Sequence, residues 1–186
     1  MLNTFVVYVE NKPGVLTRVA SLFRRRAFNI DSLTVGRTEK PEVSRMTIVV
    51  DADHDQALRV EANLYKLVNV LYVENITGKS AISRDLAMIK VTATHGARSH
   101  VLELANVFRA RVVDVGPESL TIEITGPEAK IDGLLEVLRP YGILEMVRTG
   151  VVAMRRGAKS EGAIASVPSE NGTEPAPPDD TISYSV

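Results

Sequence analysis

The residues whose types and spacing could do chemistry are concentrated in residues 9–33, which run across Glu10-Asn11-Lys12-Pro13-Gly14 into Val15 and Leu16 and end on Asn29-Ile30-Asp31-Ser32-Leu33. Pro13 presets φ for a helix start, and Gly14, lacking a Cβ, lets a ligand approach the backbone. The first-turn amides of such a helix have no intrahelical acceptor and sit at the positive end of its dipole. A carboxylate or phosphate could be held there without a cationic side chain. Asn11 and Asn29 flank the spot, and each amide side chain offers both a donor and an acceptor. That pairing suits a zwitterion such as an amino acid better than a bare anion. The chain past the helix is expected to re-enter the sheet close to the first turn, so that Asn29 converges on Asn11. A plain tight turn with a helix cap is the competing reading.

Other candidate chemistry is weaker. Asp51-Ala52-Asp53-His54-Asp55 has the alternating carboxylates of a calcium loop, yet Gln56 stands where the glycine belongs and Ala62 where the bidentate glutamate belongs. Asp53 or Asp55 is better placed to cap a following helix. Thr77-Gly78-Lys79-Ser80 resembles the end of a phosphate loop but has Val73 in place of its first glycine. His95 and His100 lack a third ligand, and no metal site is expected. The chain has no cysteine, which excludes disulfides and thiolate catalysis. No nucleophile elbow or dinucleotide fingerprint is present, so catalytic residues are expected to be absent and binding is favoured over catalysis.

With 186 residues and 45% hydrophobic content, the chain can bury a core in one large domain or two small ones. Its net charge of −1 divides into −4 on residues 157–186 and +3 on the rest. So small a positive charge gives nucleic-acid binding no electrostatic support. The last thirty residues hold four of the nine prolines and few apolar groups, and are expected to be a disordered acidic tail. No apolar run approaches a membrane span and no basic leader opens the chain, so a soluble, cytoplasmic protein is expected.

The elements that must position the candidate residues repeat. Residues 4–9 read as a strand apolar on both faces, which implies helices on one side and a second domain or subunit on the other; a homodimer through this half is expected. Val15, Leu16, Val19, Leu22 and Phe23 recur at helical spacing. Residues 30–38 and 43–50 read as a hairpin, Ala57, Val60, Leu64 and Leu67 as a second helix, and 70–77 as a fourth strand. After a short linker at 79–85 the order begins again with a strand at 86–91. Gly96 follows Gly14 by 82 residues, and Val101 and Leu104 match Val19 and Leu22 at the same offset. Residues 112–115 and 120–124 supply inner strands, Pro127 opens a last helix, and 143–154 closes the unit. The fold class is therefore α+β, with two tandem βαββαβ domains at 1–78 and 86–156. Thr92-Ala93-Thr94-His95-Gly96 replaces the asparagine-proline turn in the second copy, which is not expected to take the same ligand.

Three blocks carry a resemblance: Glu10-Asn11-Lys12-Pro13-Gly14-Val15-Leu16-Thr17-Arg18, Asn29-Ile30-Asp31-Ser32-Leu33-Thr34-Val35, and Ser44-Arg45-Met46-Thr47-Ile48. Lys66-Leu67-Val68-Asn69-Val70, Val107-Phe108-Arg109 and Arg148-Thr149-Gly150-Val151-Val152 add to it. Together they resemble the regulatory small subunit of acetolactate synthase (acetohydroxyacid synthase). The resemblance implies an N-terminal ACT domain, which is a ferredoxin-like unit, and a C-terminal domain of the same broad fold. It implies a branched-chain amino acid, usually valine but also leucine or isoleucine, bound between two subunits. Asn11, Gly14, Val15, Asn29 and Ile30 match the family's effector positions, with Lys12, Pro13 and Leu16 completing the segment. It further implies a chain with no cofactor of its own. The partner would be the catalytic large subunit, which uses thiamine diphosphate, Mg²⁺ and FAD, and whose activity the small subunit raises and makes subject to feedback inhibition.

Overall fold

The computed structural model describes residues 1–157, so the expected tail lies outside the described residues except for Gly157. Two β-α-β-β-α-β units follow one another. The first comprises β1 (Leu2–Glu10), α1 (Val15–Arg25), β2 (Ile30–Arg37), β3 (Val43–Asp51), α2 (His54–Leu64) and β4 (Val70–Asn75). The second comprises β5 (Ala81–Thr92), α3 (Arg98–Val107), β6 (Arg111–Val115), β7 (Ser119–Gly126), α4 (Glu128–Leu138), a 3-10 turn (Arg139–Tyr141) and β8 (Ile143–Arg148). A short β9 (Val152–Arg155) ends the described chain. The sheets have the same antiparallel order, β2-β3-β1-β4 and β6-β7-β5-β8, giving two ferredoxin-like domains.

Each domain has its own core. Val15, Val19 and Phe23 of α1 and Ala57, Val60 and Leu64 of α2 pack on Phe5, Val7 and Val9 of β1 and on the inward residues of β3. Full burial of the valine, leucine and phenylalanine side chains stabilises by about 1.5–3 kcal/mol each, and it fixes which face of the sheet carries helices. The helix after β3 is set by Asp53, whose Oδ1 accepts from the Gln56 amide at 2.7 Å while Gln56 Oε1 accepts from the Asp53 amide at 2.9 Å. This reciprocal cap occupies the part of the calcium-like pattern where a glycine would stand.

Two readings need correction. The residues expected as a linker at 79–85 are strand from Ala81 onward, because Ala81-Ile82-Ser83-Arg84 pair with β9 as a two-stranded ribbon. The expected single closing strand at 143–154 breaks at Thr149-Gly150, where Gly150 takes φ +85° and the chain leaves the second sheet. The break lets β9 cross to the first domain. There Ala153 is buried with Val6 of β1 and Ile76, and Arg45 donates to the Ala153 carbonyl. The second apolar face of β1 is thus covered at Val6 by this chain's own ribbon, and that face no longer argues for a second subunit.

Candidate functional site: an open helix start at Gly14

β1 ends on Glu10, and the chain turns over Asn11, Lys12 and Pro13 before α1 begins at Val15. Gly14 is the cap residue, with φ +83°, a left-handed conformation that L side chains adopt only with strain. A Cβ built there meets nothing within 4 Å, so the space above Gly14 is open. Its carbonyl accepts the first helical bond from the Arg18 amide at 3.0 Å, and the Val15 amide reaches back to Lys12 O at 3.4 Å. The Leu16 and Thr17 amides have no acceptor among the described residues, as the geometry of a helix start requires. Pro13 precedes the helix by two residues rather than opening it.

The turn is held from three sides. Asn11 Nδ2 donates to Pro41 O at 2.8 Å and its amide to Glu42 O at 2.7 Å, which ties the cradle to the β2–β3 turn and leaves Oδ1 as an acceptor. Lys12 Nζ pairs with Glu10 Oε1 at 3.2 Å. Asn69 bridges the remaining side, since its Nδ2 donates to Glu10 while its Oδ1 accepts from Arg18 of α1. The hydrogen bond from Asn69, reinforced by Lys12, holds the Glu10 carboxyl below its ordinary range. The roles of Asn69, Arg18 and Pro41 were missed by reasoning from the sequence. Each is a polar or turn residue at a domain corner, and only the fold brings those corners together.

The eight residues expected at the site divide by position. Val15 is buried in the first core and can offer only its backbone, whereas Leu16 is 45% exposed beside the cradle. Asn11, Lys12, Pro13 and Gly14 are all exposed. Asn29 and Ile30 do not join them. β1 and β2 both run antiparallel to β3, with Glu10 opposite Val43 but Ile30 opposite Val50, so Asn29 lies at the far end of the sheet. The expected convergence within one chain fails because α1 spans the sheet between the two residues.

The equivalent point in the second domain is built differently. Gly96 does not adopt positive φ, and the Arg98 guanidinium donates to the carbonyls of Ala93, Gly116 and Pro117. Protein atoms therefore hold the loop where the first domain is open.

Two family comparisons divide the chain along the same line. Residues 5–72 match an ACT domain described as acetohydroxyacid synthase (AHAS) small subunit-like, and residues 84–157 match a domain described as small subunit of acetolactate synthase. The chain belongs to the acetolactate synthase small-subunit family. A probable acetolactate synthase small subunit of Archaeoglobus fulgidus is 52% identical over 159 residues, covering 86% of this chain and 99% of that relative. The acetolactate synthase small subunit of Mycobacterium bovis is 50% identical over 160 residues, covering 86% and 95%. The crystal structure of the acetolactate synthase small subunit of Thermotoga maritima superposes with a TM-score of 0.79 at 37% identity, covering 85% of this chain and 99% of that one. As an acetolactate synthase small subunit by family, the chain carries its ACT domain at the end where the open helix start is found.

Proposed function

We propose that this chain is a non-catalytic regulatory subunit that binds the catalytic large subunit of acetolactate synthase in the cytoplasm, raises its activity, and makes it subject to inhibition by valine or a related branched-chain amino acid. The thiamine diphosphate, Mg²⁺ and FAD of the reaction belong to the large subunit. Family membership supports the assembly. The observation that carries the effector reading is Gly14, whose left-handed backbone leaves open space beside two amides without acceptors.

The ligand's carboxylate sits on the Leu16 and Thr17 amides, where partial positive charge is fixed without a competing side chain. Its ammonium group needs acceptors, and Asn11 Oδ1 supplies one. Asn29 supplies the other from a second copy. β2 is an edge strand of the first sheet, and antiparallel pairing of two β2 edges about a two-fold axis brings the Asn29 end of one chain to the Asn11 end of the other. Exposed Leu16 would line the site for a branched side chain. The effector then acts by linkage, favouring one arrangement of the dimer over another.

The test is co-purification of the full chain with the large subunit, followed by assay of the complex with and without valine, leucine and isoleucine. Co-purification, higher activity than the large subunit alone and inhibition by at least one of the three amino acids are expected. Failure to co-purify would overturn the reading, and turnover of pyruvate by the isolated chain would refute its non-catalytic part.

A further inference from the structure

The turn at residues 149–151 sits on β2. Ser32 Oγ accepts from the Val151 amide at 3.0 Å, and Thr34 Oγ1 donates to Thr149 O at 3.5 Å. The fit is close at Gly150, where a Cβ would come within 2.6 Å of Ser32 Oγ and 3.1 Å of Thr34 Oγ1. On its other side the turn is tied into the second domain. Thr149 Oγ1 bonds Asp85 Oδ1 at 3.1 Å, and Asp85 Oδ2 accepts from Arg148 Nε at 2.9 Å. Arg148 then reaches Asp132 of α4 at 3.1 Å. Asp85 is only 5% exposed, and one terminal nitrogen of Arg148 is buried with no partner among the described residues.

We infer that this seat of the 149–151 turn on Ser32 and Thr34 transmits the effector signal from the first domain to the second. The inference rests on the effector reading above and adds its route. β2 starts at Ile30, next to Asn29, and its register against β3 shifts between Ile30 and Ser32. That bulge lies between the effector end of the strand and the seat. A displacement of the Asn29 end is absorbed or passed on at the bulge, and the next side chain facing the turn is Ser32. Because Arg148 and Asp85 form one network with the turn, a shift there reaches α4 through the ion pair between Arg148 and the half-exposed Asp132.

The test uses the full chain in complex with the large subunit and two variants, Ser32→Ala and Gly150→Ala. Ser32→Ala deletes the acceptor for the Val151 amide and is small enough to leave the fold intact. Gly150→Ala drives a methyl group into Ser32 and also strains the backbone. Calorimetry measures valine binding, and steady-state assays measure activation and inhibition. Couplings of this kind are worth about 5- to 150-fold in affinity. Both variants should therefore bind valine within about three-fold of wild type and activate normally, while saturating valine, which inhibits the wild-type complex, leaves most of the activity in theirs. In wild type, hydrogen exchange at the Val151 amide should change when valine binds. Normal inhibition in Ser32→Ala, or Val151 exchange that ignores valine in a chain that binds it, would overturn the inferred route alone. Absence of valine binding by wild type would instead overturn the effector reading on which it rests.

Discussion

Asn11 and Asn29 stand at opposite ends of α1, whose eleven residues place about 16 Å of helix between them. On the proposed reading, one chain offers two half-sites at opposite ends of its edge strand. If each ligand is held by Asn11 of one chain and Asn29 of another, mixed dimers of Asn11→Ala and Asn29→Ala chains carry one intact site and one doubly altered site. Calorimetry on purified heterodimers should find one valine site of wild-type affinity per dimer. A site within a single chain predicts none, because every chain in the mixture is altered.

A second prediction concerns the other edge of the first sheet. The Tyr65 hydroxyl accepts from the Val73 amide at 3.1 Å and donates to Val73 O at 3.0 Å, so it occupies backbone groups of β4 that a foreign strand could otherwise pair with. Tyr65→Phe should cost about 1 kcal/mol and lower Tm by about 2–4 °C for a chain of this size. Unchanged thermal unfolding would show that the hydroxyl contributes nothing.

The elements themselves were legible because their apolar residues alternate or recur at helical spacing. What escaped depended on distant partners. Nothing near Gly150 marks it as a break, since its reason lies in Ser32 and Thr34 more than a hundred residues earlier. The stretch from Gly78 to Asp85 reads as linker because glycine, serine and charges mix there after a complete unit, and only pairing with β9 makes Ala81-Ile82-Ser83-Arg84 strand. The separation of Asn29 from Asn11 has a simpler reason. A helix joining two parallel strands of one sheet must cross it, so its two ends cannot meet. The cradle residues 11–16 were readable because proline, glycine and asparagine declare their backbone chemistry locally. The left-handed Gly14 could not be told from a helical one.

Acid should loosen the cradle through Glu10. Its carboxyl is held below the ordinary value of 4.5 first by the hydrogen bond from Asn69 and then by Lys12. A depressed folded-state value gives stability that is present above the unfolded-state value and lost as pH falls through the folded one. Wild type should thus lose more stability than Glu10→Gln between about pH 6 and pH 3, measured by denaturant unfolding at each pH. Parallel pH profiles for the two proteins would remove Glu10 from the account.

Residues 158–186, which lie beyond both family matches, are expected to be dispensable. A chain ending at Gly157 should co-purify with the large subunit and activate it as the full chain does. Loss of activation would assign those residues to the partner interface.

The most direct test of the account is a valine titration of the reconstituted synthase with wild-type chain and with Gly14→Asp, both at saturating small subunit. An aspartate at Gly14 fills the open space and sets a carboxylate against the amides assigned to the ligand's own. Holding a non-glycine residue at φ +83° adds a stability cost of about 1–2 kcal/mol, small enough to leave the domain folded. The account predicts that activation survives in Gly14→Asp while valine inhibition disappears. Inhibition by valine at wild-type concentrations in the Gly14→Asp complex would contradict it.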